Sequence, residues 1–123
     1  MTKLNGQKKK RVEVCCCILM YENKILILKR NHTGPRNGLW EFPGGKVERG
    51  EDSHEAIRRE LREEISIEVV EIQHYMDIFH DYDDLNVYLE VFSVTKYHGR
   101  VEASEGQAQA WVAIDKAMGS DCL

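Results

Sequence analysis

From Asp52 to Ile65 nothing in the chain breaks a helix, and within that run the charged and apolar side chains separate by face. At about 100° per residue, Glu63 and Glu64 fall within about 60° on either side of Glu60, so three carboxylates share one third of the circumference. Ile57, Leu61 and Ile65 form an apolar wedge beside them. A helix of this kind must bury its wedge against a sheet, which leaves the carboxylates at the border of the contact. Arg58 and Arg62 lie on the far side, where Glu55 or water can pair with them. Asp52 or Ser53 is suited to cap the start, and Glu55 stands three residues after Asp52, the spacing of a capping box. Runs such as Arg-Arg-Glu-Leu-Arg-Glu-Glu also occur on ordinary exposed helices, where each pair contributes about 0.2–0.5 kcal/mol. Here like charges at i, i+3 and i+4 crowd one face and call for a cation. A hard divalent ion with oxygen ligands fits that need.

The rest of the chain supplies the sheet. Val12 to Met20 is rich in strand formers, Glu22-Asn23 marks a turn, and Ile25 to Leu28 makes a second buried strand, so the two form a hairpin. Asn31 to Gly38 reads as loop, Ile67 to His80 as a long strand with breaks and Asp81 to Asp84 as a turn. Val87 to Tyr97 is a further strand, and Trp111-Val112 a short last one. The first eleven residues, with Lys8, Lys9, Lys10 and Arg11, read as a frayed basic tail ahead of a single domain over 12–123. The length of 123 residues suits one core. A net charge of −4 argues against stable nucleic-acid binding, and no apolar run approaches membrane-spanning length. Cys15, Cys16 and Cys17 are consecutive, so in a strand the first and third share one face; they read as reduced strand residues in a cytoplasmic protein.

The loop before the helix sharpens this reading. Counting from Gly45, five residues precede Glu51 and seven more precede Arg59, which opens Arg59-Glu60-Leu61-Arg62-Glu63-Glu64-Ile65-Ser66-Ile67. This resembles the Nudix box, Gly-x5-Glu-x7-Arg-Glu-U-x-Glu-Glu-x-Gly-U with U aliphatic, at every specified position but one. Ser66 stands where the family has glycine, at a helix end that favours positive φ, a substitution that costs about 1 kcal/mol and removes no ligand. Gly38-Leu39-Trp40-Glu41-Phe42-Pro43-Gly44-Gly45-Lys46-Val47-Glu48 is similar to the loop of MutT-type enzymes and of their pyrimidine-triphosphate relatives. The resemblance implies an α/β/α sandwich with a curved mixed sheet. It also implies metal ligation by the carboxylates of Glu60, Glu63 and Glu64 and the backbone carbonyl of Gly45, with Mg2+ as the ion and Mn2+ as a substitute.

On the same resemblance Arg59 braces the loop and the carboxylates, and Glu51 serves as a structural partner. Glu105 on its own is a loop glutamate; aligned to the family it becomes a further metal ligand or the general base, in competition with Glu60. Arg30 and Lys46 match positions that meet substrate phosphate or sugar. Phe42 or Tyr88 is a candidate to stack on a base, with core packing as the alternative. The implied reaction is hydrolysis of nucleoside triphosphates, oxidised or modified ones included, by water attack at the β-phosphorus to give monophosphate and pyrophosphate. The alternatives are another nucleoside diphosphate-linked substrate, or a binding module with weak catalysis.

Relatives selective for 8-oxo-dGTP open the long strand with an arginine and carry an asparagine near the C-terminus. Here the first position falls near Leu85, with no arginine there, and the sequence ends at Leu123 before such an asparagine. The expected C-terminal helix is shortened or absent, so a homodimer is expected to shield the sheet face it would cover.

Overall fold

A computed structural model describes residues 10–30 and 38–115. Its elements in order are β1 (Lys10–Tyr21), β2 (Lys24–Lys29), β3 (Trp40–Glu41), β4 (Gly44–Lys46), α1 (Ser53–Ile65), β5 (Glu68–Asp81), β6 (Leu85–His98) and β7 (Gln109–Ala113). The strands form one mixed sheet in the order β3-β2-β1-β6-β5, with β4 paired to β1 and β7 to β2. β1 and β2 meet in the expected hairpin, whose turn residues Glu22 and Asn23 both take positive φ. Such a turn matches the twist of the flanking strands. β1 then runs parallel to β6 from Lys10↔Leu85 to Leu19↔Val94. Lys10 and Arg11, expected in a frayed tail, are thus strand residues; residues 1–9, the loop over 31–37 and Cys122 lie outside the described residues.

Alternation along β1 divides the core. Cys15, Cys17 and Leu19 face α1 and pack with Ala56, Ile57, Leu61, Ile65, Phe92 and Val94. Cys16 and Ile18 face the other way, with Ile25, Ile27, Phe42 and Val91. The three cysteines are free thiols, and burial pushes all of them up, Cys15 to about 11, Cys16 to about 12 and Cys17 further. They are therefore protonated packing groups. Ile57, Leu61 and Ile65 are fully buried, each burial stabilising by about 1.5–3 kcal/mol, and this anchors α1 on the sheet. The members of the second cluster are buried as well, each 8% exposed or less. No helix among the described residues is long and apolar enough to cross a membrane.

Candidate functional site

The site lies where α1, β4 and the segment after β6 meet. Asp52 caps α1: its side chain accepts from the Glu55 amide at 2.8 Å, and the Glu55 carboxylate accepts from the Asp52 amide at 2.9 Å. Glu55 is therefore engaged at the cap, not with Arg58 or Arg62. Arg58 donates to the Val69 carbonyl and Arg62 pairs with Glu68 at 2.8 Å. At the other end Ser66 adopts the left-handed conformation, φ 65° and ψ 32°, while its amide closes the last turn on Arg62 and Leu61.

β4 brings Gly44 and Gly45 under the acidic face. Gly44 pairs with Cys16 and Gly45 with Cys15, so close that a Cβ on Gly44 would overlap the Cys15 carbonyl. A Cβ on Gly45 would stand 2.6 Å from Cδ of Glu60. Only glycine lets the strand and the carboxylate approach this far. The Gly44 amide donates to Oε1 of Glu64 at 3.0 Å. Behind the helix, the Ser104 amide donates to the Glu64 carbonyl at 2.9 Å and the Glu102 amide to the Ile65 carbonyl at 3.0 Å. That docking sets Glu105, exposed in its turn, close enough for its charge to act on Glu64.

Arg59 is the hub of the acidic cluster. Its Nε and Nη2 reach the two oxygens of Glu51 at 3.1 and 2.7 Å, and its Nη1 reaches Glu60 at 2.9 Å and Glu63 at 3.2 Å. Nη2 also donates to the Lys46 carbonyl at 3.1 Å. The Arg59 hydrogen bonds hold Glu51 below the usual carboxylate range, and the Glu51 bond in turn raises Arg59. Glu60 and Glu64 move the opposite way. Burial is the main cause for both; Glu63 adds to it at Glu60, and Glu60, Glu41 and Glu105 add to it at Glu64, which is pushed up to about 7.

Two half-buried carboxylates raised by burial and by neighbouring carboxylates, beside a backbone stripped of side chains, form an all-oxygen donor set that fits a hard divalent cation. The residues that could hold it are Glu60, Glu64, the Gly45 carbonyl and Glu63. Glu63 is 62% exposed and is drawn toward Arg59, so closing the set takes a rotation of its side chain.

The remaining sequence-derived candidates are spread around this wall. Arg30 donates to both oxygens of Glu41 at 3.0 and 3.2 Å, and the Glu41 charge is felt at Glu64. Glu41, inside the Trp40-Glu41-Phe42-Pro43 stretch, carries no local signal of such a role; only its tertiary contact with Arg30 reveals it. Lys46 is exposed beside the hub. Phe42 packs in the second cluster at 7% exposure, which leaves little ring surface for a base. Tyr88 lies on the α1 side of β6, under the guanidinium of Arg11 at 3.9 Å.

Comparison with known proteins gives a consistent picture. The model of the NUDIX domain matches residues 9–121. A protein named CTP pyrophosphohydrolase, from Escherichia coli, is 35% identical over 109 residues, which cover 89% of this chain and 81% of that one. An 8-oxo-dGTP diphosphatase of Proteus vulgaris is 31% identical, over 82% of this chain and 91% of its own. Among solved structures, the E. coli ORF135 protein superposes with a TM-score of 0.79 at 34% identity, covering 90% of this chain and 79% of that one. A MutT structure from a study of the Aliivibrio salmonicida and Vibrio cholerae proteins gives 0.74 at 38% identity, covering 89% and 86%.

Proposed function

The chain belongs to the Nudix family and is MutT-like, and from that membership we propose that it hydrolyses nucleoside triphosphates to monophosphate and pyrophosphate with Mg2+. The observation that carries this reading is the wall formed by Glu60, Glu64 and Gly45, where half-buried carboxylates crowd together and are both raised above the ordinary carboxylate range. A triphosphate brings further negative charge to that wall, so substrate and carboxylates are compatible only with a cation between them.

Glu60, Glu63, Glu64 and the Gly45 carbonyl would hold the ion, which when bound would supply charge neutralisation and acidify water. The protein's own groups do the rest. Arg59 fixes the orientation of Glu60 and ties the loop through Glu51, as outer partners of metal ligands do. The charges of Glu60 and Glu105 both act on Glu64, which supports either of them as the acceptor of a proton from attacking water. Lys46 and Arg30 supply local cations for phosphate oxygens in a chain that is acidic overall. The position where an arginine would read an oxidised purine falls near Leu85, which is aliphatic and half-buried, and an apolar slot discriminates weakly between bases. Broad base acceptance follows.

The test is magnesium-dependent hydrolysis of a panel holding CTP, dCTP, dGTP, 8-oxo-dGTP and methylated nucleotides, run in 18O-labelled water with products identified. The expected label is in pyrophosphate, from attack at the β-phosphorus. Nucleoside diphosphate with orthophosphate as the main products would contradict the mechanism, and turnover of nucleotide sugars alone would replace the substrate class.

A further inference from the structure

Beyond the acidic wall, on the same face of the sheet, three metal-ligating side chains converge on the β5–β6 pair. His74 Nε2 lies 2.7 Å from Oδ1 of Asp77 and 4.0 Å from Oε2 of Glu90, and one ligand atom from each residue falls within 4.8 Å of the others. Side chains three apart in an unbroken strand point to opposite faces. Here the register steps from His74↔Phe92 to Met76↔Val91, so Tyr75 is an extra residue that resets the alternation and turns His74 and Asp77 to one side. Asp77 is in direct register with Glu90, and like charges placed opposite each other across strands destabilise the pair. Among the described residues the only ion-pair partner of either carboxylate is His74. The imidazole is also held in place, with its edge packed on the buried Phe92 ring at 5.9 Å between centroids.

We propose that His74, Asp77 and Glu90 form a divalent-metal site of their own, suited to zinc or another late first-row ion and not to magnesium. One imidazole nitrogen with two carboxylate oxygens is a donor set for such ions, whereas magnesium takes oxygen ligands alone. Three protein ligands leave the remaining positions to water. This site is separate from the acidic helix: Cys15 pairs with Gly45 on one side and with Glu90 on the other, which puts two strand spacings, about 10 Å, between Gly45 and Glu90. An ion held there joins the bulged edge strand β5 to β6 and binds only the folded chain, so it raises the melting temperature.

The experiment uses the full-length 15N-labelled chain with saturating magnesium at mildly alkaline pH, and follows the histidine ring nitrogens while zinc is added. The expected result is a large shift of Nε2 of His74 that saturates at one equivalent. It disappears in the Asp77→Asn/Glu90→Gln double variant, which keeps the histidine, while magnesium-dependent turnover of that variant stays unchanged. Zinc that reaches the helix carboxylates moves no His74 resonance, so the two sites are read separately. Unshifted His74 resonances in excess zinc, or an equal shift in the double variant, would overturn the proposal.

Discussion

Glu64 is buried enough to be pushed up to about 7, yet one of its oxygens accepts from the Gly44 amide and its neighbours are Glu60, Glu41 and Glu105. A neutral amide keeps that hydrogen bond and removes the charge. Glu64→Gln is therefore expected to lower kcat by at least about 100-fold, since even outer partners of a metal are worth 10–100-fold, while the fold survives. Glu55→Gln retains a capping-box acceptor and should keep nearly full turnover. Equal activity in steady-state assays of the two variants would refute the division of the helix into faces. Arg59 allows a second test, because its fork spans both oxygens of Glu51 and still reaches Glu60. Lysine cannot span that geometry. Arg59→Lys is expected to lower magnesium affinity and kcat/KM by about 10–100-fold with unchanged far-UV circular dichroism; an active variant with parental magnesium affinity would show the fork to be dispensable.

The helix α1 owes its boundaries to its ends. The Asp52–Glu55 capping box was legible because its parts lie three residues apart and depend on nothing distant. The same local logic marked Ser66, and the structure does place it in the left-handed region. Ser66→Gly is expected to stabilise the chain by about 1 kcal/mol, less the weak contact of its hydroxyl with the Glu102 carbonyl at 3.4 Å. Denaturant unfolding that shows no gain would mean that this contact offsets the backbone strain. The short strands β3 and β4 were not legible. Gly44-Gly45-Lys46 has no strand-forming side chains, and it is extended because β1 offers it a partner and the acidic face tolerates nothing larger. In β5 the breaks were read from the sequence, but not that the register shifts at His74/Met76 gather three ligating groups.

Taken as one folding unit, the chain couples its acidic wall to its stability. Glu64 sits above its ordinary 4.5, so between about pH 5 and pH 7 the folded state holds a proton that the unfolded state has released, and stability falls as pH rises through that window. His74, raised mainly by its bond to Asp77, contributes with the same sign, since its stabilisation is complete below its unfolded value and lost above the folded one. Glu51, held low by Arg59, acts only in acid below the ordinary carboxylate range. Calorimetry of the metal-free protein should thus show a melting temperature that declines from about pH 5 to pH 8. Magnesium should restore it most at the alkaline end, and Glu64→Gln should flatten the profile. A metal-free melting temperature that rises with pH would contradict the buried-carboxylate reading. The expectation of a dimer started from a sheet face without a long covering helix; Cys16, Ile18, Ile25, Ile27, Phe42 and Val91 on that side are buried, and sedimentation at low micromolar concentration is the measurement that reads the oligomeric state.

Local and periodic chemistry was readable without coordinates: the faces of α1, its cap, the strained Ser66, the β1–β2 hairpin and the sidedness of the three cysteines. Each of these depends on residues within a few positions of one another, where helix and strand geometry alone sets direction. The fold class and family were readable too, because the spacing from Gly45 to Ile67 is a linear pattern. Only tertiary structure decided the parallel pairing of β1 with β6, the Gly45–Glu60 contact, the burial of Phe42, the Arg30–Glu41 ion pair and the His74–Asp77–Glu90 cluster. These join residues far apart in the chain or depend on a cross-strand register. Their existence depends on which surfaces lose water together, and no single segment encodes that.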